Sequence, residues 1–269
     1  MKIGVIGYGF VGKAIVNAYQ LKLIETIVVD PKYNNLTIKD LIDQSPDAIF
    51  VAVPSPSNQD RSCNTSILED VTYQLTSYKG LIISKVTAPP DTYESLSRLY
   101  PNLVFSPEFL TARNANQDYV DAKFAIVGAS SAKLQHAASS FIKLGQPKVG
   151  HWMFVDSKTA SLAKYTINSF LATKVIFLNQ LHHVCQQAGI EYNDLRDCIM
   201  LDQRMGTSHF NVPGFNNTFG FGGACFPKDT AALLHYANTL NLNLDVLKSA
   251  VDVNNKIWSE YEESLWSGV

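Results

Sequence analysis

Positive charge is not in surplus in this sequence. It has 22 Lys and Arg against 24 Asp and Glu, a formal net charge of −2. Nucleic-acid binding leaves a basic stripe and membrane-surface binding a basic amphipathic run, so neither partner is expected. Long apolar runs are missing as well, and none could span a bilayer. The strand-like KIGVIG begins at Lys2, so no cleavable leader is expected. Cysteine is scarce. Cys63, Cys185, Cys198 and Cys225 include no CxxC pair, which excludes a disulfide framework and predicts reduced thiols in a cytoplasmic protein. His182, His183 and Cys185 lie close together, but their adjacency suits no single tetrahedral site and no second ligand group stands out, so no metal is expected. There is no internal repeat and no low-complexity linker.

What is present is globular. Hydrophobic residues make up 46% and charged residues 17% of 269 positions, enough for one large domain or two modest ones. The opening MKIGVIGYGFVGKAIVNAYQ places a short β-rich run before Gly7-x-Gly9-x-x-Gly12 and a helical pattern after it. In such a turn the first glycine permits the bend, the second admits a pyrophosphate, and the third lets helix pack on strand. The free N–H groups of the helix then face the phosphates. A second strand, TIVVD, ends in Asp30, 18 residues beyond Gly12, where a carboxylate suits the ribose hydroxyls and favours NAD over NADP.

The alternation continues. Strand-like runs are read at 47–54, 80–87, 102–109 and 123–128, with helices near 66–78, 91–99 and 131–144. Apolar runs separated by helices predict a parallel sheet covered on both faces. Ligands bind at the carboxyl ends of such strands, which draws attention to Val53, Pro54, Thr87 and Glu108. The expected fold is therefore α/β: a Rossmann-type parallel-sheet domain over 1–150, followed by an all-α domain over 151–269.

From Ser157 the pattern changes. No Gly or Pro interrupts the chain until Gly189, which predicts one long helix. Its middle, Phe170 to Leu181, is apolar on most faces, so a homodimer through 157–185 is expected. Lys164 and Asn168, four residues apart, share a face, as either an oxyanion-stabilising pair or a surface pair. Further helices are read at 192–203, 229–240 and 244–264. Between them the stretch GFGGACFPKD sets Cys225 behind glycines and ahead of Lys228 and Asp229.

The pieces GYGFVG, FVAVPSP with CNTSILEDV, KVTAPPDT, SPEFL, AKYTINSFLATKVIFLNQL, QRMG and GFGGACFPKD stand in an order that resembles the UDP-glucose/GDP-mannose dehydrogenase family. The resemblance implies NAD-dependent oxidation of a nucleotide sugar to a uronic acid, UDP-glucose to UDP-glucuronate first of all. Cys225 would be the nucleophile and form a thiohemiacetal and then a thioester. Lys164 and Asn168 would hold the oxyanions, and Asp229 would orient groups around the thiol. Glu108 would act as base for hydrolysis on a water placed by Thr87. The resemblance sets Gly7, Gly9, Phe10, Val11, Gly12, Asp30, Val53, Pro54, Thr87 and Lys228 at the cofactor. It sets Glu108, Phe109, Leu110, Lys164, Asn168, Arg204, Gly222 and Cys225 at the substrate, with Arg204 reaching across a dimer. The glycines ahead of Cys225 would leave room for sugar and nicotinamide, and Lys228 would lower the thiol pKa or meet a cofactor phosphate.

Four departures from the family pattern stand out. Thr111-Ala112 follows PEFL where an acid is usual, Ser161 stands where a Glu is common, the glycine loop is longer at VPGFNNT, and a third, C-terminal α/β unit lies beyond what this sequence spans. Two other readings stay open. One is a β-hydroxyacid dehydrogenase, which makes a single hydride transfer and shares the Lys-x-x-x-Asn helix. The other is a non-catalytic remnant that binds NAD or a sugar nucleotide.

Overall fold

The computed structural model describes residues 1–214 and 217–267, with side chains described through Ser259. Phe215 and Asn216, within the VPGFNNT stretch, lie outside the described residues. The chain divides into two compact units, Met1–Lys164 and Tyr165–Val269.

The first unit is built on β1 (Lys2–Ile6), β2 (Glu25–Val29), β3 (Ala48–Val51), β4 (Leu81–Ser84), β5 (Leu103–Phe105), β6 (Phe124–Gly128) and β7 (His151–Val155). They form one sheet in the order β2-β1-β3-β4-β5-β6-β7. Its helices are α1 (Phe10–Gln20), α2 (Ile38–Asp43), α3 (Ser66–Gln74), α4 (Pro90–Leu99), α5 (Ala115–Asp121) and α6 (Ala132–Gly145). The central strands β3, β4 and β5 are buried at every position and almost wholly apolar because both faces are covered. Side chains alternate between the faces. Ile3, Val5, Phe50, Ile83 and Val104 join Tyr19 and Ile142 on one side, while Ile49, Val51, Ile82 and Phe105 join Leu41 and Tyr93 on the other. Each such side chain contributes on the order of 1.5–3 kcal/mol by leaving water.

Strands β1 to β5 run parallel, as the apolar runs predict. The sheet is not parallel throughout, however. β6 meets β5 antiparallel, through the single pair Phe105 and Gly128, and β7 runs parallel to β6. Apolar runs report burial on two faces and not strand direction, so this reversal leaves no mark in the pattern. The sequence reading also lacks β7 itself. HWMFV is an edge strand whose His151 and Met153 are exposed while Trp152 and Phe154 pack inward, so it carries no continuous apolar run. The sheet therefore extends past residue 150. The short helix α2 is likewise absent from that reading, although Thr37 and Asp40 form a reciprocal capping box at its start.

Helix α7 (Ser157–Ala188) begins in the first unit and continues into the second. The second unit adds α8 (Tyr192–Met200), a 3₁₀ turn at Gln203–Met205, α9 (Phe226–Thr239) and α10 (Asp245–Ser267). It has two small cores. Leu178, Cys185, Tyr192, Phe210 and Val212 form one, and Ala172, Ile176, Phe221 and Ala250 the other. Cys185 is therefore a packing residue, and His182 meets the rings of Tyr192 and Phe219 edge-on.

Candidate active site

The strand order reverses between β1 and β3, and a doubly wound sheet opens a crevice at the carboxyl ends of such strands. The glycine turn stands there, and its three glycines have three different reasons. Gly7 adopts φ +92°, and a Cβ on it would lie 2.5 Å from the Ala52 carbonyl oxygen. A Cβ on Gly12 would lie 2.0 Å from the Gly7 carbonyl oxygen, so helix and turn touch backbone to backbone. Gly9 faces open space, with nothing within 4 Å of where a Cβ would be. As N-cap of α1 it offers no side-chain acceptor to the first-turn N–H groups. First-turn N–H groups without a side-chain cap and an uncrowded approach fit the pyrophosphate of a dinucleotide.

Asp30, just beyond β2, is fixed at the same end. Its Oδ2 accepts from the Tyr8 N–H at 2.7 Å and its Oδ1 from the Lys32 N–H at 2.8 Å. A carboxylate in this place accepts ribose hydroxyls and opposes a 2′-phosphate. Phe10 and Val11 pack partly into the core below the turn. Val53 is half-buried and Pro54 exposed beyond β3. The carbonyl of Thr87, beyond β4, accepts from Ser55 Oγ at 2.7 Å.

The first unit also buries a charged cluster. Glu108, beyond β5, and Lys164, on α7, are both buried. Lys164 Nζ donates to the Glu108 carbonyl oxygen at 2.5 Å and lies 3.8 Å from its carboxylate Oε1. It also sits over the Phe109 ring, 4.8 Å from the centroid. Glu108 Oε2 accepts from the Leu110 N–H at 2.6 Å. The motif residues Glu108, Phe109, Leu110 and Lys164 are thus brought together. A further member is Lys85, which the sequence reading lacks. It is 4% exposed and donates to Ser106 Oγ at 3.0 Å. Burial pulls its ammonium down to about 8, against the opposing pull of the Glu108 charge. The signal was a lone lysine inside the apolar run LIISKV at the end of a parallel strand.

The second unit holds the thiol. Cys225 is half-buried and caps the N-terminus of α9. Asp229 lies one turn on, 1% exposed, and its N–H donates to the Cys225 carbonyl oxygen at 2.8 Å. Asn168 Nδ2 donates to Asp229 Oδ2, and Lys228 Nζ to Oδ1, each at 2.6 Å. The segment before the thiol is clamped. Asn179 Oδ1 accepts from Gly220 N–H and Asn254 Oδ1 from Phe221 N–H, while Trp258 Nε1 donates to the Phe221 carbonyl. A Cβ on Gly222 would lie 2.9 Å from the Trp258 ring, so that glycine has a packing role against α10. Gly223, with φ +77°, is open. Arg204 is exposed and pairs with Asp202. Lys174 fixes the loop that follows, donating to the carbonyls of Met205 and Ser208 and lying 3.5 Å from the centre of the Phe210 ring. Among the described residues no His, Cys, Asp and Glu cluster could hold a metal ion, and no helix is long and apolar enough to cross a membrane.

A mostly parallel sheet with an open glycine turn and an acid beyond β2 defines a nicotinamide-dinucleotide-binding protein of the dehydrogenase type. The chain belongs to the UDP-glucose/GDP-mannose dehydrogenase family: residues 34–143 match its NAD binding domain and 158–256 its central domain. It is 28% identical to the UDP-glucose 6-dehydrogenase of Rickettsia felis, over 91% of this chain and 56% of that protein. It is 30% identical to the putative UDP-glucose 6-dehydrogenase YtcA of Bacillus subtilis, over 92% of this chain and 59% of that protein. The chain thus spans little more than half the length of these curated relatives. In fold it is similar to a UDP-glucose dehydrogenase from Pyrobaculum islandicum (TM-score 0.77, 24% identity, 95% of this chain and 68% of that one). It is also similar to the 3-hydroxyisobutyrate dehydrogenase of Mycobacterium tuberculosis (TM-score 0.72, 16% identity, 96% and 94%).

Proposed function

We propose that this chain oxidises the primary alcohol of a nucleotide sugar to the acid, UDP-glucose to UDP-glucuronate, through a thioester on Cys225. The observation that carries the reading is the placement of Cys225 at the N-terminus of α9, one turn ahead of a buried carboxylate held by Asn168 and Lys228. The positive end of a helix favours a thiolate. NAD⁺ supplies the hydride acceptor for both oxidations. Between them the Cys225 thiolate adds to the aldehyde carbon, and the thiohemiacetal keeps that carbon bound. Loss of the second hydride leaves a thioester. Glu108 takes a proton from water placed at Thr87, hydroxide displaces the thiolate, and the acid leaves. Lys164 and Asn168 donate to the oxyanions formed on the way. Lys228 serves Asp229, and with it the thiol. Arg204 and the 220–223 segment take up the sugar nucleotide.

We further infer a homodimer through α7. Phe170, Phe177 and Val184 are exposed and stand seven residues apart, so they form one apolar stripe along the helix. A single hydride transfer is the second reading, favoured by the likeness in fold and length to the 3-hydroxyisobutyrate dehydrogenase. NADH formed per sugar consumed separates them. Two supports the thioester route, one supports the second reading, and none with UDP- and GDP-sugars overturns both.

A further inference from the structure

The first unit buries two ammonium groups against one carboxylate. Lys85, Glu108 and Lys164 are 4%, 7% and 3% exposed. Burying an ammonium is costly, and a volume-matched apolar residue normally serves stability better. Lys85 has one hydroxyl, Ser106 Oγ, as its hydrogen-bond partner among the described residues. Packing gives no account of it. The sheet places it deliberately all the same: Lys85 N–H donates to the Val51 carbonyl, and Ser106 N–H donates to the Ser84 carbonyl, so β3, β4 and β5 hold Lys85 and Ser106 in register.

The charge count supplies a reason. If Lys164 alone faced Glu108, the pair would be neutral, and an oxyanion would have to compete with a carboxylate for one ammonium. With Lys85 the cluster carries one net positive charge, which is the complement of one developing negative charge. The hydrogen bonds agree. The Lys164 ammonium bonds the Glu108 carbonyl and not its carboxylate, which stays 3.8 Å away.

We propose that Lys85 is a positioning residue of this site: anchored on Ser106, it supplies the counter-charge to Glu108 and leaves the Lys164 ammonium to the substrate oxyanion. This rests on the thioester route proposed above. The groups that face Lys85 are Ser106 and Glu108, both beyond β5, and Glu108 is faced in turn by Lys164 on α7. The Lys85 ammonium, drawn down by burial, loses its proton near pH 8, so turnover should fall as pH rises through that value.

The test uses the full chain with UDP-glucose and NAD⁺, comparing wild type, Lys85→Met and Lys85→Arg. Lys85→Met should unfold at the same or a higher temperature at pH 7, because a buried charge is gone. Its kcat should fall about tenfold or more, with KM changed less than about threefold. Rapid-quench mass spectrometry should show acyl-Cys225 accumulating beyond the wild-type level. Lys85→Arg, which keeps its charge, should recover part of kcat and extend activity above pH 8. A lower unfolding temperature for Lys85→Met with unchanged kcat and adduct level assigns Lys85 to structure and overturns the proposal. Unchanged values throughout overturn it too. A wild-type chain that yields one NADH per sugar overturns the thioester route first and this proposal with it, and only that result leaves Cys225 unmodified in the wild type.

Discussion

Asn168 donates its side-chain amide to Asp229 Oδ2 at 2.6 Å, and both groups are buried. The other oxygen, Oδ1, is taken by Lys228. Asp229 is thus an acceptor on both sides, and no neutral isostere can copy that. In Asp229→Asn one orientation turns its NH₂ towards Asn168 and the other towards Lys228, so a donor meets a donor either way. Asp229→Asn should therefore cost about 2–4 kcal/mol, close to Asp229→Ala. Urea denaturation of both variants checks this, and an Asn variant as stable as wild type would contradict the geometry.

Gly9 and Gly12 should separate binding from folding. Gly12→Ala drives a methyl into the Gly7 carbonyl, where only backbone could yield, and should cost about 3 kcal/mol or more. Gly9→Ala meets nothing, so stability should stay within about 1 kcal/mol. The same methyl occupies the approach of the pyrophosphate, so NAD⁺ affinity should fall by about tenfold or more. Calorimetric titration with NAD⁺ and thermal unfolding read the two effects. A Gly9→Ala chain with unchanged affinity places the cofactor elsewhere.

Lys85 should leave a mark on stability against pH. Its ammonium sits at about 8 in the folded chain against an ordinary 10.5, because burial disfavours the charge. The unfolded chain therefore binds more protons between these values, and stability should rise with pH across that window. At pH 7 the penalty is present in full, up to about 3 kcal/mol. The buried phenols of Tyr19, Tyr93 and Tyr119 are pushed above the ordinary tyrosine value and work in the opposite sense above pH 10. The difference between wild type and Lys85→Met cancels them. Lys85→Met should be the more stable at pH 7, with the gap closing by about pH 10. A gap that does not change with pH would show that burial leaves the Lys85 ammonium at its ordinary value.

Much of this was legible in the sequence because the signals were local. Gly7, Gly12 and Asp30 follow from the shape of one turn, and α7 follows from 32 residues without Gly or Pro. The reversal at β6 was not legible, since Phe105 and Gly128 pair across a connection whose direction no residue type encodes. Neither was the pairing of Asn168 with Asp229, 61 positions apart, nor the filling of the Gly222 space by Trp258. A glycine close ahead of Cys225 suggests room for a ligand, and only the folded structure shows the Trp258 ring in that room. Lys85 was readable in principle, but an isolated lysine after a strand is usually a solvated end.

Loss of the Cys225 thiol should separate folding and cofactor binding from acid formation. Cys225 caps α9, and the 220–223 segment before it is held by Asn179, Asn254 and Trp258. These three bonds all engage backbone groups of Gly220 and Phe221, so Cys225→Ala should keep the loop and unfold within a few degrees of wild type. NAD⁺ should still bind, because Gly9 and Asp30 are untouched. The alcohol-level oxidation needs no covalent bond, so slow formation of aldehyde and one NADH should persist. Acid formation should fall by about 10³-fold or more, as expected when a covalent nucleophile is lost. Quenched during turnover, the unmodified chain should carry its adduct on Cys225 and none on Cys63, Cys185 or Cys198. Acid formed by Cys225→Ala at the wild-type rate would make the thiol a packing residue and end the two-step reading.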